Sequence, residues 1–402
     1  MKRISSCLFA FCVCVLNSPV IQAEEVPPAA SVEEDSSDGK WRFGGAVRLR
    51  YDYNDYHQER SLSYFGVDTA RVEVDYDSSS WFGSMQYRFY GHFYPYQYES
   101  TFGRINFPVY AWAGYKFNPE HSVVAGLNMI PFGLPYESSA FYQTVVNLGG
   151  LEDIHNLGIR YAYKKDDLYV DLGFYPRDGG NWAGTTRDSA RYSVNVVKAD
   201  HDLENGVSNQ ERNQWVGRLG YVIRHAEDVR SDIGVSALYS TLRNDDTRKD
   251  GLRRAYGVHY AGQYRAFGLL AQFIRQNMSP RNPGDTGNDH VTMGAFDGAF
   301  NVASKGNLYS VELNYAVPYA NDWIKDIKPY ISYSAFEKDR SRFKMSERMI
   351  MGVQFANGPV FTYFETRWGR NDPYTGDFSD GFAAGGSDKW NQSLHVNIGY
   401  YF

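Results

Sequence analysis

The stretch HVNIGYYF, residues 395–402, puts Val396, Ile398, Tyr400 and Phe402 at every second position, with small or polar residues between them. Successive side chains of a β-strand point to opposite faces, so this stretch reads as a strand with one apolar face. Chain ends of soluble domains tend to fray into water. This one is expected to finish inside a sheet, with a phenyl ring at the edge of an apolar layer.

The same period recurs along the chain. Trp41, Phe43, Val47, Leu49, Tyr51 and Tyr53 alternate with Arg42, Gly44, Arg48, Arg50 and Asp52, and Ala70, Val72, Val74 and Tyr76 alternate with Arg71, Glu73, Asp75 and Asp77. Followed through, the alternation predicts sixteen strands, near 41–53, 65–77, 81–92, 107–117, 122–130, 156–163, 168–175, 213–225, 231–242, 253–264, 267–276, 306–317, 327–337, 347–356, 360–369 and 391–402. The connections after even strands are mostly short and polar, such as Ser78-Ser79-Ser80 and Asn357-Gly358-Pro359. Those after odd strands are longer, the longest at 131–155 and 176–212. Short turns on one side and long loops on the other, with an even strand count, describe an all-β, up-and-down antiparallel transmembrane β-barrel. In lipid an open sheet edge leaves backbone groups without partners, so the last strand is expected to pair with the first. The alternative is a soluble sandwich of two sheets. Aromatic residues at the strand ends (Trp41, Tyr51, Trp81, Phe117, Trp368, Phe402) and the loop alternation favour the barrel.

Composition is consistent with this. The 402 residues are 43% hydrophobic and 16% aromatic, yet mean hydropathy is −0.50. Aromatic and β-branched side chains suit a pleated surface. No stretch after the first 23 residues approaches the length of apolar chain that a membrane helix needs. Residues 1–23, with Lys2, Arg3, the apolar run CLFAFCVCVL and Ala23, are expected to be a secretory signal peptide. Its removal would take all three cysteines and leave 39 basic against 47 acidic residues, a net of −8. An exported chain without cysteine does not depend on disulfides. Residues 24–40 hold six acids and one base among Pro and Ser, and are expected to be an acidic periplasmic segment ahead of the barrel at 41–402. Nothing in this balance points to nucleic acid.

If the apolar parity faces lipid, the other parity faces the lumen. Arg48, Arg71, Arg88, Arg160 and Arg218 are then inward at mid-height, with Glu73, Asp75, Asp171, Glu312 and Glu365 also inward. Arginine outnumbers lysine 28 to 13, and guanidinium holds planar oxyanions by two hydrogen bonds while staying charged. These five are candidates for an anion-attracting wall. The alternative is a lumen in which neighbouring acids neutralise them. The third long connection, 131–155, carries Phe132, Leu134, Tyr136, Phe141 and Tyr142, which are out of place in a loop in water. It is expected to fold into the pore as a constriction, with Phe132, Tyr136, Glu137, Glu152 and Asp153 as its candidate residues and the three acids opposite the arginines.

GLNMIPFGL (126–134), DSARYSVNVV (188–197) and TMGAFDGAFNVASKGNLYSVELNY (292–315) resemble porins of the phosphate-selective porin O/P family. The resemblance covers most of 41–402. It implies a sixteen-stranded outer-membrane barrel, a homotrimer, through which small hydrophilic or anionic solutes diffuse without a cofactor. Lysine is scarce here beside the Arg and Lys ladders of phosphate channels of that kind.

Other chemistries find little in the sequence. The nine histidines are scattered, with no H-E-x-x-H motif or paired spacing, so no metal site is expected. There is no G-x-S-x-G, no phosphate-binding glycine loop and no dinucleotide fingerprint, and no catalytic residue is assigned. Two further readings stay open. One is a receptor or adhesin role for the loops at 176–212 and 277–305. The other is a carbohydrate channel in which Tyr94, Tyr96 and Tyr98 stack on sugars.

Overall fold

The structure, a computed structural model, describes residues 39–57, 61–91, 102–284, 287–319, 321 and 324–402. The expected signal peptide, residues 24–38 of the acidic segment, and Tyr94, Tyr96 and Tyr98 lie outside the described residues. In chain order the strands are β1 (Lys40–Asp55), β2 (Leu62–Asp77), β3 (Trp81–Tyr90), β4 (Ile105–Lys116), β5 (His121–Met129), β6 (His155–Lys165), β7 (Leu168–Asp178) and β8 (Asn195–Val196). They continue with β9 (Asn209–Ala226), β10 (Val229–Asn244), β11 (Asp250–Tyr264), β12 (Phe267–Ser279), β13 (His290–Ala295) and β14 (Gly298–Ala303). The last five are β15 (Lys305–Tyr315), β16 (Asp326–Lys338), β17 (Ser346–Asn357), β18 (Val360–Arg370) and β19 (Asn391–Tyr401).

Sixteen of these form one closed antiparallel barrel, each strand paired with its neighbour in the chain apart from loop strands β8, β13 and β14. Every strand read from the alternation is present. The ring closes through β1 and β19, in register from Ala46↔Tyr401 to Asp55↔Gln392. Phe402 completes the seam: its carbonyl accepts from the Gly45 amide at 2.9 Å, and its own amide donates to the Gly45 carbonyl at 3.0 Å. Closure removes every edge from the barrel sheet, as a lipid environment requires.

The two faces differ in kind. Ile233, Val235 and Ala237 of β10, Tyr256 and Val258 of β11, Leu269 and Phe273 of β12, and Val311 and Leu313 of β15 all point outward and are exposed. A continuous apolar belt of this extent would be unstable in water and suits a bilayer. It also excludes the sandwich, which would bury that face. Aromatic rings flank the belt, among them Trp41, Trp81, Phe117 and Phe402 at the short-turn end and Tyr53 and Trp215 at the other. Among the described residues no helix is long and apolar enough to cross a membrane. The fold is therefore a transmembrane barrel of the outer-membrane type.

The connections at 78–80, 117–120, 166–167, 227–228, 265–266 and 358–359 are tight, and only 316–325 on that side is longer. On the other side 130–154, 179–208, 280–304 and 371–390 are long, whereas 245–249 has five residues. The long loops carry a second layer of structure. β14, β13 and β8 form a three-stranded sheet of their own. Val194, Val196, Met293, Ala295, Phe300, Val302 and Phe382 from the loops are buried together with Val216, Leu238, Leu242, Ile274, Met278, Leu308 and Phe336 from the inward faces of β9, β10, β12, β15 and β16. Part of the interior is thus an apolar core rather than a polar lumen.

Candidate pore and constriction loop

Segment 130–154 leaves β5, crosses the inside of the barrel and returns to β6, as the apolar residues of this loop predict. A single helical turn, α1 (Val145–Leu148), forms in it, capped by Thr144, whose side chain accepts from the Val146 amide. The far wall grips the loop through side chains aimed at its backbone. Ser236 of β10 accepts from the Gly133 amide at 3.1 Å, and Ser334 of β16 accepts from the Val145 amide at 3.0 Å. Glu312 of β15 takes the Ser139 amide at 3.0 Å and the Ser138 hydroxyl, and Glu365 of β18 takes the Phe141 amide at 2.6 Å. Arg348 of β17 donates to the Gln143 carbonyl at 2.6 Å while its other nitrogens hold Asp372 at 2.7 Å each. Arg253 of β11, almost fully buried, donates to Glu211 at 2.8 Å and to the carbonyls of Gly149 and Gly150 at 2.7 and 3.0 Å. Charge-assisted bonds of this kind are short and directional, so the loop is fixed along its length.

The candidate loop residues divide by role. Phe132 is buried in the apolar core beside Gly257 and does not line a passage. Its parity in the loop gave no hint of this, because only the tertiary fold brings the β11 wall to it. The Tyr136 hydroxyl donates to Asp232 of β10 at 2.7 Å. Glu137 is exposed and lies in the fields of Arg71 and Arg88. Asp153 accepts from Tyr192 at 2.5 Å and Gln143 at 2.7 Å, pairs with His155 at 3.1 Å, and is also within the field of Arg88. Glu152 departs from the expectation. It turns away from the arginines to accept from the Thr144 hydroxyl at 2.5 Å and the Gln272 amide of β12 at 3.1 Å. Burial pushes its carboxyl up to about 6. Two acids, not three, therefore oppose the arginines.

All five candidate arginines face inward, as strand parity predicts. Arg71 and Arg88 are direct partners across β2 and β3, and Arg48 and Arg71 face neighbouring positions across the β1–β2 pair. Four of the five pair with a carboxylate. Arg48 pairs with Asp68 at 2.9 Å, Arg71 with Glu73 at 2.9 Å, and Asp171 is shared by Arg160 at 3.1 Å and Arg218 at 2.9 Å. Arg88 donates to Gln86 at 2.5 Å and lies over the Tyr192 ring at 5.0 Å. Among the described residues no carboxylate comes within ion-pair distance of it. Towards the short-turn end, Lys164, Arg230 and Lys328 also point inward without an ion-pair partner among the described residues.

Sequence reasoning missed a buried network beside this wall. Arg50 holds Asp52 at 2.6 Å, Asp68 at 3.0 Å and the Tyr142 hydroxyl at 2.7 Å, and His395 lies 2.7 Å from Asp52. Arg367 stacks over the Tyr142 ring at 3.9 Å, and Phe141 packs on His395 at 4.6 Å. Parity placed Arg50 inward, but nothing local told that loop residues 141 and 142 would reach it. Among the described residues no group of three or more His, Cys, Asp or Glu is placed to hold a metal ion.

No family model matches this chain, and no curated protein matches it. Solved structures do. OmpT of Vibrio cholerae, in a structure described as a trimer form, superposes with a TM-score of 0.56 at 15% identity, over 91% of this chain and 100% of that one. The outer-membrane channel DcaP of Acinetobacter baumannii gives 0.59 at 9% identity, over 92% and 100%. An anion-selective porin from Comamonas acidovorans gives 0.55 at 10% identity, over 91% and 100%. At these identities the likeness is one of fold, and that fold is the sixteen-stranded porin barrel.

Proposed function

We propose that this chain is an outer-membrane porin: a water-filled channel through which small hydrophilic solutes diffuse passively, with a weak preference for anions and no chemical step. The observation that carries this reading is the loop 130–154, fixed inside the barrel by wall residues along its length. Glu137 and Asp153 on the loop edge stand across from Arg71 and Arg88, which sets a field across the passage.

The preference for anions is weak because most lumen charge is paired. Asp171 offsets one of Arg160 and Arg218, Glu73 offsets Arg71, and Asp52 and Asp68 offset Arg48 and Arg50. Among the described residues Arg88, Arg367, one guanidinium shared at Asp171, and Lys164, Arg230 and Lys328 near the short-turn mouth are left without a carboxylate, against Glu137, Glu312 and Glu365 left without a cation. Nothing in this set singles out phosphate. The trimer described for the Vibrio cholerae protein and the anion selectivity described for the Comamonas acidovorans porin are properties of those proteins, and we extend both to this chain as part of the proposal.

Single-channel recording of the refolded chain in a planar bilayer under a salt gradient tests it. Discrete steps with a small anion-favouring reversal potential are expected. Arg88→Ala should move that potential towards cations. A folded, heat-modifiable barrel that passes no current would overturn the channel, and a potential unmoved by Arg88→Ala would remove the arginines from the account.

A further inference from the structure

The outward faces of the strands differ around the rim on the long-loop side. On the arc formed by β9, β10, β11, β12 and β15, Arg212, Arg243, Arg254, Arg275 and Lys305 point away from the barrel axis. Strand register sets them side by side. Arg212 faces Thr241; Arg254 lies between Tyr239 and Asn277; Asn277 faces Lys305; and Arg275 lies between Tyr256 and Asn307. Below or among them sit the exposed rings of Trp215, Tyr239, Tyr256 and Phe273, and below those the aliphatic belt of Leu219, Val235, Val258 and Leu269.

Two of the five cations are paired, Arg243 with Asp250 at 3.3 Å and Arg275 with Asp339 at 2.7 and 2.5 Å. The other three are exposed, and no carboxylate among the described residues lies within ion-pair distance of them. Arg254 leans over the Tyr239 ring at 5.9 Å, and Arg212 donates to Gln210 at 2.6 Å. The corresponding halves of β1–β5 are unlike this. There Tyr53, Phe65 and Phe89 face outward, whereas Arg48, Arg50, Arg71 and Arg88 all turn into the barrel.

We propose that Arg212, Arg254 and Lys305 dock the phosphorylated headgroups of the anionic lipid that surrounds the barrel in the outer leaflet. The height is right: aromatic rings mark the level where acyl chains give way to headgroups, and these cations sit at or just beyond it. The chemistry is right as well, because a guanidinium fork fits a phosphate and a lysine ammonium adds a point charge. A solute inside the pore cannot reach them, which separates this role from permeation. The inference rests on the barrel standing in the outer membrane with its long loops outside, so conductance serves as an independent readout.

The full chain, refolded in uncharged detergent, would be titrated with bisphosphorylated lipid A or with the same lipid after enzymatic dephosphorylation. Lipid retained through size exclusion is then measured by its acyl chains. The parent should retain the phosphorylated form far better. Basic residues near a membrane surface contribute about a factor of five each, so R212S/R254S/K305S together should weaken retention on the order of a hundredfold. A control, R340S/R342S, removes two exposed loop cations held by Asp289 and should bind as the parent does. Heat-modifiable mobility and unchanged single-channel steps in the triple variant would show that its loss is not misfolding. Retention by the triple variant equal to the parent's, or equal retention of dephosphorylated lipid, would overturn the proposal. So would an equal loss in the control.

Discussion

Arg253→Met is the most direct test of how the loop is held. Arg253 is the largest fully buried side chain among the described residues, and it joins three parts of the molecule: Glu211 of β9, the carbonyls of Gly149 and Gly150 after α1, and Gln276 of β12 at 3.3 Å. Methionine fills much of the volume but donates nothing. Glu211 would keep Ser240 at 2.5 Å and Gln214 at 3.2 Å as donors, yet would be left as a buried charge without its cation. Breaking a buried pair from one side costs about 3 to 5 kcal/mol. Adding Glu211→Gln removes the stranded charge while keeping an acceptor for Ser240, so the double variant should recover roughly half of that loss. A coupling energy between the two sites of about 1.5 kcal/mol or more is expected. Urea unfolding of the barrel in lipid vesicles, followed by tryptophan fluorescence, measures all four corners of the cycle. The loop carbonyls lose their donor in both variants, so single-channel current should become noisier in each. A single variant within about 1 kcal/mol of the parent, or a coupling near zero, would refute the claim that this pair anchors the loop.

Three further outcomes follow from the same geometry. Asp171→Asn removes the carboxylate shared by Arg160 and Arg218 and should shift the reversal potential towards anions; no shift would mean that these guanidiniums lie outside the ion path. Gly150 has φ +66°, and a Cβ there would stand 2.5 Å from Met293 Cε and 2.9 Å from the Val194 carbonyl, so Gly150→Ala should cost about 1 to 3 kcal/mol in the urea titration, and a parent-like midpoint would contradict it. The Glu152 carboxyl is raised by burial from its ordinary 4.5 to about 6, so the folded chain binds that proton more tightly than the unfolded one. Its stabilising contribution is complete below pH 4.5 and is lost as pH rises through 6. Glu152→Gln should flatten the stability curve in that window, and an unaltered slope would rule the assignment out.

Strand positions and facing were legible because both follow from a local rule, the alternation of side chains across a sheet. Arg48, Arg71, Arg88, Arg160 and Arg218 were placed inward by counting, and the count held through the register shifts at Arg48/Leu49 and Gln86/Tyr87. The inward loop was legible because Phe141 and Tyr142 need cover that water does not give. What did not show was partnership. Glu152 could be seen to be acidic and in the loop, but its turn towards Gln272 depends on α1 and the β12 wall, far along the chain. The loop strands were missed for a related reason. β13 and β14 are buried on both faces, so their residues do not alternate, and a turn at Phe296 and Asp297, both with positive φ, joins them without the glycine or asparagine that usually marks a hairpin.

The three segments whose sequences resemble porins meet inside the barrel. Ile130 and Phe132 from 126–134, Val194 and Val196 from 188–197, and Met293, Ala295, Phe300 and Val302 from 292–315 belong to one buried cluster. Together they convert the inside of a wide barrel into a packed wall on the side of β9 to β16. A barrel of sixteen strands is wide enough for a large aqueous channel. Inward polar groups remain on the packed side, Arg218, Asp232, Ser236, Arg253 and Glu312 among them, while Arg348, Arg367, His395, Arg50, Arg71, Arg88 and Arg160 stand on the arc from β17 through β1 to β7. Strand number therefore overstates the passage, and substitutions at paired lumen charges such as Asp171 should move selectivity while those at buried loop anchors such as Arg253 should move stability. Asp171→Asn and Arg253→Met fall on opposite sides of that division, and a selectivity change in the second with none in the first would reverse it.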